Sequence, residues 1–197
     1  MRIHGHLWFP LIIVSSIVAC GGGAATTPGA TTPSVAPVAG PADPSIPKAP
    51  DHPESDKVTW KKDSPVKSCH TGAKGDGDLT AAVTAMATGC VPTMHQVGQP
   101  TTGDGAASTA SMLKQIPFTA HANHCYRVFG LSQGTVKDLD IAVTDSAGKS
   151  CGEDLNDSND AIVLEDASIC FKADDTVSIN VAVATGAGKW SVEVWSD

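Results

Sequence analysis

The chain has 197 residues, 41% of them hydrophobic, with 13 basic against 21 acidic side chains and a formal net charge of −8. That balance offers no basic patch to a phosphate backbone and argues against nucleic acid and anionic lipid surfaces as partners. Beyond any leader and linker, the length suffices for one domain of ordinary size with its own core.

From Leu7 to Ala19 thirteen residues run almost purely apolar, broken by Pro10, Ser15 and Ser16, after a short head that carries Arg2. A membrane-spanning helix needs ~20 apolar residues, so this stretch reads as a secretion signal, not a span. Its end, Ile17-Val18-Ala19-Cys20-Gly21, resembles the lipobox of bacterial lipoproteins. The resemblance implies that residues 1–19 are removed, that Cys20 is acylated, and that membrane lipid is the first partner. Each buried CH₂ adds ~0.8 kcal/mol, and one acyl chain alone holds marginally, so the several chains of that family would anchor firmly. Gly21 in place of Asp after the cysteine resembles the sorting pattern of outer-membrane lipoproteins, whose domains face the periplasm or the cell surface. The alternative is an ordinary secretory peptide with an incidental cysteine.

Residues 20–55 follow as a tether. Eight prolines stand between Gly21 and Ser55, with Ala, Thr, Gly and Ser between them and no aromatic residue. Such a segment cannot bury enough apolar surface to offset its ordering entropy, and as a disordered stalk it would reach between ~30 and ~110 Å.

Residues 56–111 are expected to form a helix and loop subdomain. In "DGDLTAAVTAMATGC", Leu79, Val83, Met86 and Cys90 recur at helical spacing, Asp78 is a fitting N-cap, and Gly89 lies near the end. The stretch from Val91 to Ala110 is turn-rich. From Met112 the period changes to two. Strands are expected in "HCYRVFGL", "DLDIAVTD", "AIVLED", "SICFK", "TVSINVAV" and "GKWSVEVWS", separated by turns such as "DSAG" and "TGAG". Residues 112–197 therefore predict an antiparallel β-sandwich, jelly-roll-like, and the whole a mainly β domain in which a short disulfide-tied helix precedes the sandwich. Alternation implies one wet and one dry face for each strand.

The order "YRVFG … DLDIAVTDSAG … VSINVAVATGAGKWSVEVW" resembles the bacterial pre-peptidase C-terminal domain, over roughly Met112 to Asp197. It is also similar to lipoproteins of no assigned activity that carry an "HCYRVFG" stretch. The first resemblance implies a small sandwich used in secreted proteins for attachment, folding or surface binding, and implies no catalytic residue.

After Cys20, five cysteines remain: Cys69, Cys90, Cys125, Cys151 and Cys170. In an oxidising compartment an odd number leaves one thiol over. Cys69 with Cys90 would tie the helix down. Cys125 with Cys170 would staple two strands, Cys151 with Cys170 is the rival, and Cys151 is otherwise the spare thiol. Cys125 beside His124 is a poor nucleophile and base pair, because neighbours in a strand point to opposite faces. His121, His124 and Cys125 lack the second ligand pair of a structural zinc site.

The acidic stretch "GEDLNDSNDAIVLED" places Asp154, Asn156, Ser158, Asp160 and Glu165 at positions 1, 3, 5, 7 and 12 of a calcium loop. Asn159 stands where glycine is usual and the flanks read as strands. A looser calcium site on Asp154, Asp157 and Asp160, with Asp138 or Asp140, is one alternative, and a solvated Asx-turn loop the other. Trp190 and Trp195 fall on opposite faces of the last strand; Trp190 reads as core and Trp195 as a possible exposed binding platform. Together these features point to a non-enzymatic, lipid-anchored cell-envelope protein that binds a protein or carbohydrate ligand. A calcium-binding sandwich and a structural scaffold bridged through a spare cysteine are the alternatives. A hydrolase would need a converging nucleophile, base and stabiliser, and no motif supplies them.

Overall fold

The structure is a computed structural model that describes residues 52–63, 66, 77–107 and 114–197, and the statements below concern these. In chain order the elements are β1 (Val58–Lys62), α1 (Leu79–Cys90), β2 (His95–Ala106), β3 (Lys114–Ala120), β4 (Cys125–Ser132), β5 (Asp138–Thr144), β6 (Ser150–Glu153), β7 (Asp160–Ile162), β8 (Ala167–Phe171), β9 (Asp175–Thr185) and β10 (Ala187–Ser196).

All the strand pairs are antiparallel, in two sheets. One sheet has the order β1-β8-β4-β10-β2, with β7 also paired to β4; the other has the order β3-β9-β5-β6. The C-terminal hairpin is split between them, β10 lying between β2 and β4 and β9 between β3 and β5. Gly186, at φ +92°, makes the crossing between β9 and β10. A Cβ there would overlap the carbonyl of Thr135, so only glycine fits.

The period-two pattern fills the space between the sheets as expected. Leu139, Ile141 and Val143 of β5 and Val177, Ile179 and Val181 of β9 face Tyr126, Val128, Ile169, Trp190 and Val192 of the other sheet in one buried cluster. Tyr126 is packed edge-on between Phe118 and Phe171, with centroids 5.4 and 5.7 Å away, and its hydroxyl accepts the His121 backbone N–H at 2.8 Å.

A second core lies on the outside of the five-stranded path. Helix α1 starts where the Asp78 carboxylate accepts the N–H groups of Thr80 and Ala81 at 3.0 and 3.2 Å. It lays Leu79, Val83, Met86 and Ala87 on Phe129, Leu131, Ile162 and Trp195. All eight residues of β4 are therefore buried, and the expectation of one wet face fails for the central strands β4 and β10 because a helix covers it. The expected subdomain boundary near residue 111 falls within a shared sheet: β1 and β2 come from residues 56–111, and they pair with β8 and β10.

Strands β7 and β8 act as one strand broken in the middle. Cys125 and Tyr126 of β4 pair with β8, and Phe129 to Leu131 pair with β7. Between them the chain turns out through Leu164 at φ 55°. Buried Arg127 fills the break, donating to the carbonyls of Leu164 and Glu165 at 2.9 and 3.3 Å and to Asp63 at 3.4 Å. The buried charge is thus matched by a carboxylate and two carbonyls, as burial requires.

Candidate functional site

The acidic loop runs from the end of β6 along the start of β5, tied by the Asp154 N–H to the Ile141 carbonyl (2.8 Å) and the Leu139 N–H to the Ser158 carbonyl (2.9 Å). Those bonds place Asp154 and Asp157 beside Asp138 and Asp140 of β5. Asp154 is only 8% exposed. Its Oδ1 accepts from the N–H groups of Asn156 and Ile162 and from the Asn156 amide, each at 3.4 Å, while its buried Oδ2 has no partner. Burial, aided by the charge of Asp140, pushes the Asp154 carboxyl up to about 7. Burial and the neighbouring charges of Asp140 and Asp157 also raise Asp138, whose Oδ1 is likewise buried without a partner. Asp140 is raised by burial and by Asp157.

The rest of the loop satisfies itself. The Asn156 amide donates to Glu165 Oε1 at 2.5 Å, and the Ser158 hydroxyl donates to the backbone and side-chain oxygens of Asp160 at 2.7 and 2.8 Å. Asn156 thus turns its donor, not its oxygen, toward Glu165, and Asp157 is exposed. Among the described residues, no three His, Cys, Asp or Glu side chains converge closely enough to hold a metal ion. The geometry is that of an Asx-type loop with one buried carboxylate left over, not of an EF-hand.

Cys125 and Cys170 form a disulfide directly across β4 and β8. Cys151 is a free thiol, fully buried, and burial pushes it up to about 12. It is therefore neither a ready nucleophile nor within reach of a second chain. Cys90 is disulfide-bonded at the end of α1, to a partner outside the described residues, where Cys69 and the lipidation candidate Cys20 also lie. His121 and His124 each face their own carboxylate, Asp174 at 3.7 Å and Asp197 at 3.5 Å.

Trp190 lies in the core as its pattern predicts, at 2% exposure. Trp195, expected as an exposed platform, is instead buried beneath α1 at 6% exposure, its indole N–H donating to Glu193 at 3.0 Å. Its outward position on β10 is the one the helix covers.

Sequence reasoning missed the segment His52 to Lys62, which straps the sandwich along one side. β1 pairs with β8 of one sheet, while Ser55 donates its backbone N–H to the Ser150 carbonyl of the other, at 3.0 Å. The buried Ser55 hydroxyl donates to buried Asp145 at 2.7 Å. The Lys57 ammonium sits 3.1 Å from both oxygens of Asp175 and 2.6 Å from Ser146 Oγ. Burial works against ionising Asp145 and Asp175. Hydrogen bonds from Ser55, Lys149 and Ala147 to the first, and from Ser146 and Lys57 to the second, outweigh it and hold both below the ordinary carboxylate range. Ser55 and Asp145 are thus a lock, not a catalytic pair, since a carboxylate so held is a weak base and water cannot reach it. Trp60 completes the strap: partly exposed, its indole N–H donates to the Cys151 carbonyl at 2.7 Å. The alternation in "VTWKK" was the available signal, but five residues ending in two lysines carry little of it.

Set beside known proteins, the chain matches no protein-family model and no curated protein.

Proposed function

We propose that the chain is a lipid-anchored cell-envelope protein, held by acylated Cys20, whose folded part is a non-enzymatic binding module presented on a tether. The observation that carries this reading is where the fold begins. The proline-rich stretch ends at the strap, whose first residues are clamped by Ser55 and Lys57 to the β3-β9-β5-β6 sheet before β1 pairs with β8 of the other. A pull on the tether would enter the sandwich through a buried, charge-assisted joint, as an anchored module needs. The nesting of β9 and β10 between earlier strands is the order of a jelly roll, a fold common among lectin and capsid domains, and it supports binding over chemistry. So does the resemblance of residues 112–197 to the pre-peptidase C-terminal domain.

The test is expression in a two-membrane bacterium with an alkynyl fatty acid. The expected result is label on the wild-type chain and recovery with outer membranes, and for Cys20→Ala neither. Equal labelling of the variant would overturn the anchor.

A second reading, a calcium-dependent fold, is favoured by the unpartnered, buried Oδ2 of Asp154 beside Asp138 and Asp140. Bringing these carboxylates onto one cation would require the exposed Asp157 to close in. A melt in millimolar calcium against chelator decides it: a ligand of the folded state must raise the midpoint, and an unchanged midpoint rejects the site.

A further inference from the structure

The strap carries a recess that no other element explains. A cavity of about 440 Å³ lies against Trp60, lined also by Thr59, Asp56, His52 and Lys172. It falls in the lower part of the range typical of small-ligand sites, ~300–1,000 Å³. All of these residues but Lys172 belong to the strap, and docking of the strap adds the Lys172 wall and fixes the Trp60 ring.

Trp60 is a fixed platform. Its indole N–H is held by the Cys151 carbonyl of the opposite sheet and its backbone pairs with Ile169, so the ring is oriented before anything binds. The polar rim is mixed. It offers the Thr59 hydroxyl, the Asp56 carboxylate, the His52 imidazole and the Lys172 ammonium, the last fixed by one bond to the Asp56 carbonyl at 2.8 Å. Donors and acceptors around one aromatic ring suit a ligand with an apolar face and hydroxyls at its edge, which is the description of a pyranose ring. A phosphorylated ligand is disfavoured by the net charge of −8, and a cation over the indole by Lys172. A purely apolar ligand would leave the charged rim without partners.

We propose that this recess is a carbohydrate subsite that stacks one sugar ring of a glycan on Trp60, with Asp56 and Lys172 bonding its hydroxyls. The assignment rests on the reading of the chain as a binding module and gives that module a ligand class. It also couples binding to the strap, because a glycan on the docked recess stabilises the docked state.

The experiment uses the full chain in a non-glycosidic detergent, titrated with cellotetraose, chitotetraose and maltotetraose. Tryptophan fluorescence and saturation transfer to the sugar protons are the readouts. At least one oligosaccharide is expected to bind. Trp60→Ala should weaken it at least tenfold, Trp60→Phe should keep most of the affinity, and Asp56→Ala and Lys172→Ala should each weaken it severalfold. The last two side chains are exposed, so those variants decide the matter if Trp60→Ala fails to fold. No binding to any of the three sugars overturns the subsite. Binding that all four variants leave unchanged also overturns it, while leaving the binding-module reading in place. Capture of an envelope protein by the same chain, with no sugar bound, likewise sinks the subsite and keeps the module.

Discussion

Asp154→Asn isolates a buried carboxylate whose Oδ2 has no partner. With a folded-state value of about 7 against an ordinary 3.8, the folded chain holds a proton on Asp154 where the unfolded chain has lost it. Lowering the pH from 8 to 5 therefore favours the folded state. Integrating the difference in bound protons over that interval gives roughly two proton-pH units, or about 2.6 kcal/mol. At about 3 °C per kcal/mol for a domain of this size, the wild-type midpoint should rise by roughly 8 °C more than that of Asp154→Asn between pH 8 and pH 5. The variant removes only this titration. Every other ionisable side chain is common to both proteins. A donor of the new amide left unpaired costs about 1–3 kcal/mol, and that cost is the same at both pH values. Calorimetry of both proteins at pH 5, 6, 7 and 8, in chelator, is the assay. Parallel curves would refute the reasoning, since they would mean that Asp154 is either ionised and solvated or protonated throughout.

Three other perturbations test the frame around it. Replacing both Cys125 and Cys170 by alanine opens a loop spanning 45 residues and should cost about 4 kcal/mol in the urea unfolding free energy, while Cys151 should react with a thiol reagent only after denaturation. Ser55→Ala leaves the buried Asp145 short of a donor and should cost about 1–3 kcal/mol near neutral pH, with the loss shrinking as pH falls below about 4 and Asp145 protonates. Trp195→Ala empties the space under α1 and should destabilise by about 3–5 kcal/mol while leaving any sugar affinity unchanged; weaker binding would restore Trp195 to a role that its burial denies.

The strands that bury one face were legible because alternation is a local signal. "DLDIAVT" and "TVSINVAV" each show it within seven or eight residues, and α1 showed its cap and its buried stripe in the same way. What stayed hidden depended on neighbours far along the chain. β2, "HQVGQPTTGDGA", carries three glycines and a proline, residues of turns, and forms a strand because β10 supplies a partner along most of its length. Trp190 and Trp195 fall on opposite faces of β10, and only the packing of α1 on the outer face decides that both are buried. The strap is divided by the sequence reading, its first residues closing the 20–55 tether and the rest opening the 56–111 subdomain, because its contacts, Asp145, Ser150 and Asp175, lie some 90 to 120 residues away.

The two carboxylate sets work in opposite senses, and together they bound the pH range in which the fold is most stable. Asp145 and Asp175 have folded-state values depressed below 3.8, so their contribution is present above about pH 4 and is lost as pH falls through those depressed values. Asp154 has a raised value, so its penalty is fully present above about pH 7 and is relieved as pH falls toward 4. Acid thus weakens the strap before it can harm the acidic loop, and mild base strains the loop without touching the strap. Stability should peak between about pH 4 and 6, and the element that gives way first should differ on the two sides. On the acid side Trp60 leaves the Cys151 carbonyl and its emission shifts to the red ahead of global unfolding. On the basic side the loop beside β5 loosens while that emission stays fixed.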